Sequence, residues 1–182
     1  GSGSTAYLAL LKIAERIRNE QLHIRAIPTS QEIKMACAKL GIPLTSLLEH
    51  KPNWTFDGAD EIDFSHNMIK GRCGAMFKEK LLISSSPRTF IIADSSKMVS
   101  KLGSRFPVPV EIFPDALVHV DQALRSLSPV EIKLRMAQGK DGPVITENGN
   151  LILDVRFDNI PDNLENAIKS ITGVIESGLF MH

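Results

Sequence analysis

From Thr5 onward the apolar positions Leu10, Ile13, Ala14 and Ile17 fall at the i, i+3, i+4, i+7 spacing of one helical face, which predicts an amphipathic helix closing near Arg18 or Glu20. Leu22 to Ile27 then reads as a short strand. Thr29 and Glu32 stand at capping-box spacing before a second stripe, Ile33, Ala36, Cys37 and Leu40, with Gly41 as its stop. Trp54 to Asp57 is the next strand and runs directly into the acidic turn Gly58-Ala59-Asp60-Glu61. After the polar stretch Asp63 to Asn67, the loop Lys70-Gly71-Arg72-Cys73-Gly74 opens a helix from Ala75 to about Ser84. Thr89 to Ala93 is a strand that delivers Asp94-Ser95-Ser96-Lys97. Strands alternating with helices predict an α/β fold, a Rossmann-like and mostly parallel sheet with helices on both faces. Ligands of such sheets sit beyond the carboxyl ends of the strands, where Asp57, Asp60, Asp94 and Lys97 fall.

From Ser104 the texture changes. Pro107, Pro109 and Pro114 punctuate Val108 to Phe113, predicted as an edge strand because proline has no N–H to give a ladder. A helix from Asp115 to Leu127 follows, then strands over Val130 to Met136 and Leu151 to Phe157. The turn Glu147-Asn148-Gly149-Asn150 sets up a hairpin between Val144-Ile145 and the second of these. A helix from Asp162 to Ile171, ended by Gly173, completes an order that suits a small α+β, ferredoxin-like subdomain. The expected division is therefore 1–103 with 174–182 as a Rossmann-like catalytic domain and 104–173 as the subdomain.

At 182 residues and 43% apolar, the chain fits one compact α/β unit, or one such unit carrying a small appended subdomain. Twenty-one Lys and Arg balance twenty-one Asp and Glu, so no global field draws nucleic acid or an anionic membrane, and any bound anion must be held locally. No apolar run nears the ~18 residues of a membrane span, and no leader pattern opens the chain. Cys37 and Cys73 lack any CxxC or metal-ligand spacing, which makes a reducing, cytoplasmic setting the default. The opening Gly1-Ser2-Gly3-Ser4-Thr5 lacks a methionine and the last residues stop in an apolar stretch, so both ends read as cut.

Glu79 is the most informative single residue. It falls in the middle of the apolar stripe Ala75, Met76, Leu82 and Ile83, so its carboxylate points inward, where burial raises the pKa towards that of a useful general base. Lys78 and Lys80 flank it, so an ion-paired structural glutamate is the competing reading. Asp57, Asp60, Glu61 and Asp63 crowd four carboxylates into seven residues; such a cluster binds metal, holds sugar hydroxyls, works as an acid/base pair or is a solvated turn. No histidine or cysteine stands beside it at ligand spacing, which makes metal the weaker option. Gly3-Ser4-Thr5 opens a helix and offers a phosphate its unpaired N–H groups and hydroxyls, or else is a linker or expression scar. Lys97 is its cationic partner or an ordinary surface lysine.

Taken in order, Asp57-Gly58-Ala59-Asp60-Glu61-Ile62-Asp63, Lys70-Gly71-Arg72-Cys73-Gly74-Ala75 with Lys78-Glu79-Lys80, and Ala93-Asp94-Ser95-Ser96-Lys97 resemble the ribose-5-phosphate isomerases of the A type. Phe106-Pro107-Val108-Pro109-Val110-Glu111 and Thr146-Glu147-Asn148-Gly149-Asn150-Leu151-Ile152-Leu153-Asp154 agree, so the resemblance covers essentially the whole chain. It implies interconversion of ribose 5-phosphate and ribulose 5-phosphate through an enediolate, in the non-oxidative pentose phosphate pathway, with no cofactor and no metal. By position, Glu79 is then the base moving a proton between C1 and C2. Asp57 and Lys70 serve ring opening and the oxygens at C1 and C2, and Asp60 holds sugar hydroxyls. Gly71 and Gly74 line the substrate loop, while Ser2, Gly3, Ser4, Thr5 and Lys97 hold the phosphate. A homodimer or homotetramer is implied, with neither nucleic acid nor membrane as partner.

Three departures from the family pattern stand out. The family has a helix and a central first strand before the Gly-x-Gly-Ser-Thr loop and more chain after Phe180. Arg72-Cys73 occupies positions where the family usually has glycines, which narrows the loop or adds a charge beside the substrate. Ser2 stands where threonine is common. The competing function from another class is a non-catalytic sugar-phosphate sensor on the same fold, which would keep the phosphate loop and lose the base. Amino-sugar-phosphate deaminases and acyl-CoA transferases would need other motifs around their base or nucleophile.

Overall fold

The computed structural model describes Gly1 and residues 3–181. The chain divides into two compact units, Gly1–Gly58 with Lys78–Ala93, and Ala59–Phe77 with the chain from Asp94 onward.

In the first unit, α1 (Ser4–Glu20) packs Leu10 and Ala14 in one core with Ile33, Ala36 and Cys37 of α2 (Gln31–Lys39). Of the predicted stripes, Leu10, Ala14, Ile33, Ala36 and Cys37 are buried, while Ile13, Ile17 and Leu40 are half-buried. The cap of α2 sits one residue later than predicted: Ser30, not Thr29, accepts from the Ile33 N–H at 3.3 Å, and no capping box forms because position N3 is then Ile33. Gly41 ends the helix with φ +70°, a conformation glycine reaches without steric cost. The strand predicted over Leu22 to Ile27 is reduced to one bridge, Ala26 to Leu44. Pro28 follows at once and Pro43 has no N–H to continue the pairing. β1 (Thr55–Asp57) and β4 (Thr89–Ile91) run parallel with Phe56 opposite Phe90.

In the second unit the strands pair antiparallel, beside one isolated parallel bridge, Ile62 to Met98. β2 (Glu61–Ile62), β3 (Met68–Ile69) and β9 (Leu179–Phe180) form a small sheet, closed at one end by Asp63, whose Oδ1 accepts from the Ser65 and Asn67 N–H groups. A four-stranded sheet has the order β6 (Glu131–Leu134), β7 (Leu151–Arg156), β5 (Val108–Ile112), β8 (Val174–Ser177). Helices α4 (Leu117–Arg125) and α5 (Leu164–Lys169) contribute Val120, Leu124, Leu164 and Ile168 to its core.

β5 is therefore an interior strand, against the edge position expected from its prolines. Antiparallel residues direct N–H and C=O to the same side. The Pro109 carbonyl accepts from Gly178 at 2.6 Å, so the missing N–H also faces the β8 side, just beyond the last paired residues Val110 and Ser177. No ladder bond to β7 is lost. Nor does Val144-Ile145 pair with β7. That neighbour is β6, and the Val144 N–H goes instead to the Arg135 carbonyl at 2.8 Å. The intervening turn is held from within: Thr146, Asn148 and Asn150 side chains all donate to Oε1 of buried Glu111.

Candidate active site

The first unit carries Asp57 and Glu79. Asp57 ends β1, 3% exposed, and its Oδ1 accepts from the Gly58 N–H at 2.8 Å while its carbonyl accepts from Ile92. Gly1 packs directly on this carboxylate, and a side chain on Gly1 would collide with it. That contact gives the first glycine of the Gly-x-Gly loop a steric reason that sequence reasoning had not assigned. Glu79 lies on α3 (Met76–Ser85), 4% exposed, in the i, i+3, i+6 series of buried residues Met76, Glu79 and Leu82. The inward carboxylate expected from the stripe is what the helix presents. At the N-terminus of α1, Gly3 has φ +85°, no side chain caps the helix and no acidic residue occupies its first turn. Ser4 and Thr5 are exposed there, leaving hydroxyls and the positive helix end open to an anion. Ser2 lies outside the described residues.

The second unit carries Asp60, Lys70, Gly71, Gly74 and Lys97. Lys70 is 2% exposed, with Nζ 5.5 Å from the centre of the Phe180 ring. Its backbone is fixed by Gly178, whose carbonyl accepts the Lys70 N–H at 2.8 Å. A side chain at Gly178 would strike the Lys70 carbonyl and Pro109, so the backbone around Lys70 requires a glycine here, which no local motif announced. Gly71 (φ +94°) and Gly74 (φ +78°) shape the loop, and the Gly74 N–H closes back on the Gly71 carbonyl at 2.9 Å. Arg72 turns its guanidinium onto the Phe106 ring, 5.1 Å from the centroid. Lys97 ends a short 3₁₀ turn, Ser95–Lys97, capped by Asp94; the hydrogen bond from Ser96 holds the Asp94 carboxyl below its usual range.

The other carboxylates of the acidic cluster are structural. Glu61 is fully buried and accepts the N–H groups of Gly103, Arg105 and Phe106 at 2.7 Å each. Asp63 closes the β2–β3 turn. Among the described residues, no group of three or more His, Cys, Asp or Glu side chains converges as a metal site. One more residue went unnoticed in the sequence. Arg135 pairs with Asp154 and reaches the glycine loop, and both line a cavity of about 360 Å³ with Asp60, Arg72 and Phe106.

Carboxylates at strand ends are where α/β proteins of this class present polar groups to small ligands. The family model for ribose 5-phosphate isomerase A (phosphoriboisomerase A) matches residues 25–182. The chain is 46% identical to ribose-5-phosphate isomerase A of Thermosynechococcus vestitus, over 100% of this chain and 78% of that protein. Ribose 5-phosphate isomerase A of Methanocaldococcus jannaschii superimposes with a TM-score of 0.96 at 42% identity, covering 100% of this chain and 81% of the other. A D-ribose-5-phosphate isomerase solved in complex with phospho-erythronic acid gives 0.95 at 35% identity, covering 100% and 80%. The chain belongs to the ribose 5-phosphate isomerase A family. It is accordingly an enzyme, an isomerase of pentose phosphates. No helix among the described residues is long and apolar enough to cross a membrane.

Proposed function

We propose that the chain interconverts ribose 5-phosphate and ribulose 5-phosphate through an enediolate, with Glu79 as the general base and without metal. The observation that carries this is the burial of Glu79 on the inward face of α3, in a chain that belongs to an isomerase family. A carboxylate held on that face is a side chain of the type that takes a proton from a substrate carbon. Glu79 removes the proton from C2 of the open-chain aldose and returns it to C1, and a proton moves between the oxygens at C1 and C2. Lys70 places an ammonium charge against the enediolate oxygens, where negative charge develops. Asp57 and Lys70 also serve ring opening, and Asp60 accepts from sugar hydroxyls. Gly3, Ser4 and Thr5 at the start of α1, with Lys97, hold the phosphate. The phospho-erythronic acid bound by the related isomerase is itself a phosphorylated sugar acid, the ligand class such groups accept. The enzyme works as a homodimer or homotetramer in the cytoplasm.

The test is formation of ribulose 5-phosphate in the presence of a chelator, comparing the parent chain with Glu79→Gln. Turnover is expected to survive the chelator and to fall by about 10²–10⁴-fold in the variant, with unchanged thermal unfolding. A variant that keeps its kcat removes Glu79 from the mechanism. A folded parent that binds sugar phosphate without converting it points to the sensor reading.

A further inference from the structure

We infer that Arg135 is a positioning residue for Asp60, acting through one peptide group of the glycine loop; the inference rests on the isomerase reading above. Arg135 directly follows β6 and its side chain is 17% exposed. Its Nε donates to Asp154 Oδ2 at 2.8 Å and its Nη2 to Oδ1 of the same carboxylate, on β7. This fork-to-fork pair fixes the plane of the guanidinium and neutralises its charge. The remaining nitrogen, Nη1, reaches the loop, donating to the Arg72 carbonyl at 2.9 Å and the Gly71 carbonyl at 3.3 Å.

The Gly71 carbonyl and the Arg72 N–H belong to the same planar amide. That N–H donates to Asp60 Oδ2 at 3.0 Å. One amide is therefore gripped by a guanidinium on its oxygen side and a carboxylate on its N–H side, and each bond polarises the amide in the sense that strengthens the other. Rotating the amide would break both bonds at once. Gly71 permits the required orientation, since its φ is +94° and a Cβ would collide with Met76. With Oδ2 committed to Arg72, Asp60 Oδ1 has no hydrogen-bond partner among the described residues. It is the oxygen left to accept a sugar hydroxyl. The chain of contact runs from Asp154 through Arg135 and the amide to Asp60, and Asp60, Arg135 and Asp154 line the same cavity.

The test compares steady-state kinetics on ribose 5-phosphate for the full chain and for Arg135→Met, Arg135→Lys, Asp60→Asn and the Arg135→Met, Asp60→Asn double variant. Calorimetric binding of ribose 5-phosphate is read in parallel. Arg135→Met is expected to raise KM about tenfold and to change kcat less than about threefold, the scale of a misplaced charged hydrogen bond. In the Asp60→Asn background the same substitution should add less than about twofold, because the residue it positions is already lost. Arg135→Lys keeps the charge but not the fork and should fall in between. Equal effects with and without Asp60, or an unmoved KM, would reduce Arg135 to a structural ion pair and overturn the inference. If Arg135→Met does not fold, Arg135→Lys with parental KM overturns it equally. A parent without turnover strikes the isomerase reading alone, and calorimetry then reads the coupling between Arg135 and Asp60 directly.

Discussion

β5 in the second unit and β4 in the first are both apolar strands, yet they live in opposite surroundings. Every residue of β5 is buried between β7 and β8. In β4, Phe90 is 53% exposed, Trp54 stands beside it in an edge contact with ring centres 6.1 Å apart, and β1 is its single strand partner among the described residues. The first unit also holds a hollow of about 400 Å³ lined by Leu10, Ile13, Ile33, Trp54 and Leu82 together with polar residues such as Arg25 and Lys51. Hydrophobic strand composition thus states what a strand would bury, and only its neighbours state what it does bury. The second unit also buries carboxylates, with Glu61 and Glu111 each collecting three donors.

The largest expected effect tests that contrast in the core. Ile112→Ala, at a fully buried position, should cost about 4 kcal/mol in urea unfolding, whereas Phe90→Ala should cost less than about 1 kcal/mol. Equal costs would mean that the two strands are equally buried in solution and would break the comparison. Next comes Glu61→Ala, which strips one acceptor from three backbone N–H groups and should cost about 3 kcal/mol by the same measurement. The smallest effect is a rate. Cys73 is exposed, while Cys37 is buried and burial pushes its thiol pKa up, so an alkylating reagent at neutral pH should label Cys73 first. Cys37 then reports the opening of the first unit. Comparable rates at the two thiols would show that this unit opens far more readily than its helical packing implies.

Much of the candidate site was legible because its signals are local. The inward placement of Glu79 was readable from helical periodicity, since a carboxylate in an apolar stripe points inward whatever the helix packs on, and its burial agrees. Asp57 was singled out by its place at a strand end, and the glycine loop by its place at a helix start. Gly178 and Arg135 were illegible for the opposite reason. Gly178 matters because two strands distant in sequence crowd it, and Arg135 because its partner Asp154 and the loop carbonyls are brought to it by sheet pairing. The misplaced cap at Thr29 shows the same limit at short range, since two adjacent hydroxyl residues compete and the backbone at Ser30, φ −142° and ψ 159°, decides.

The sequence by itself determined the α/β class, both amphipathic helices of the first unit, the inward Glu79 and the family to which the chain belongs. All of these rest on periodicity or on residues close together along the chain. Tertiary structure alone decided that β5 is interior despite Pro109, that Glu61 and Glu111 are structural anchors, and that Asp60 and Arg135 hold opposite sides of one amide. The physical reason is that hydrogen-bond partners across a sheet are set by register. Register depends on which strands are neighbours, and no spacing within a single strand encodes that choice.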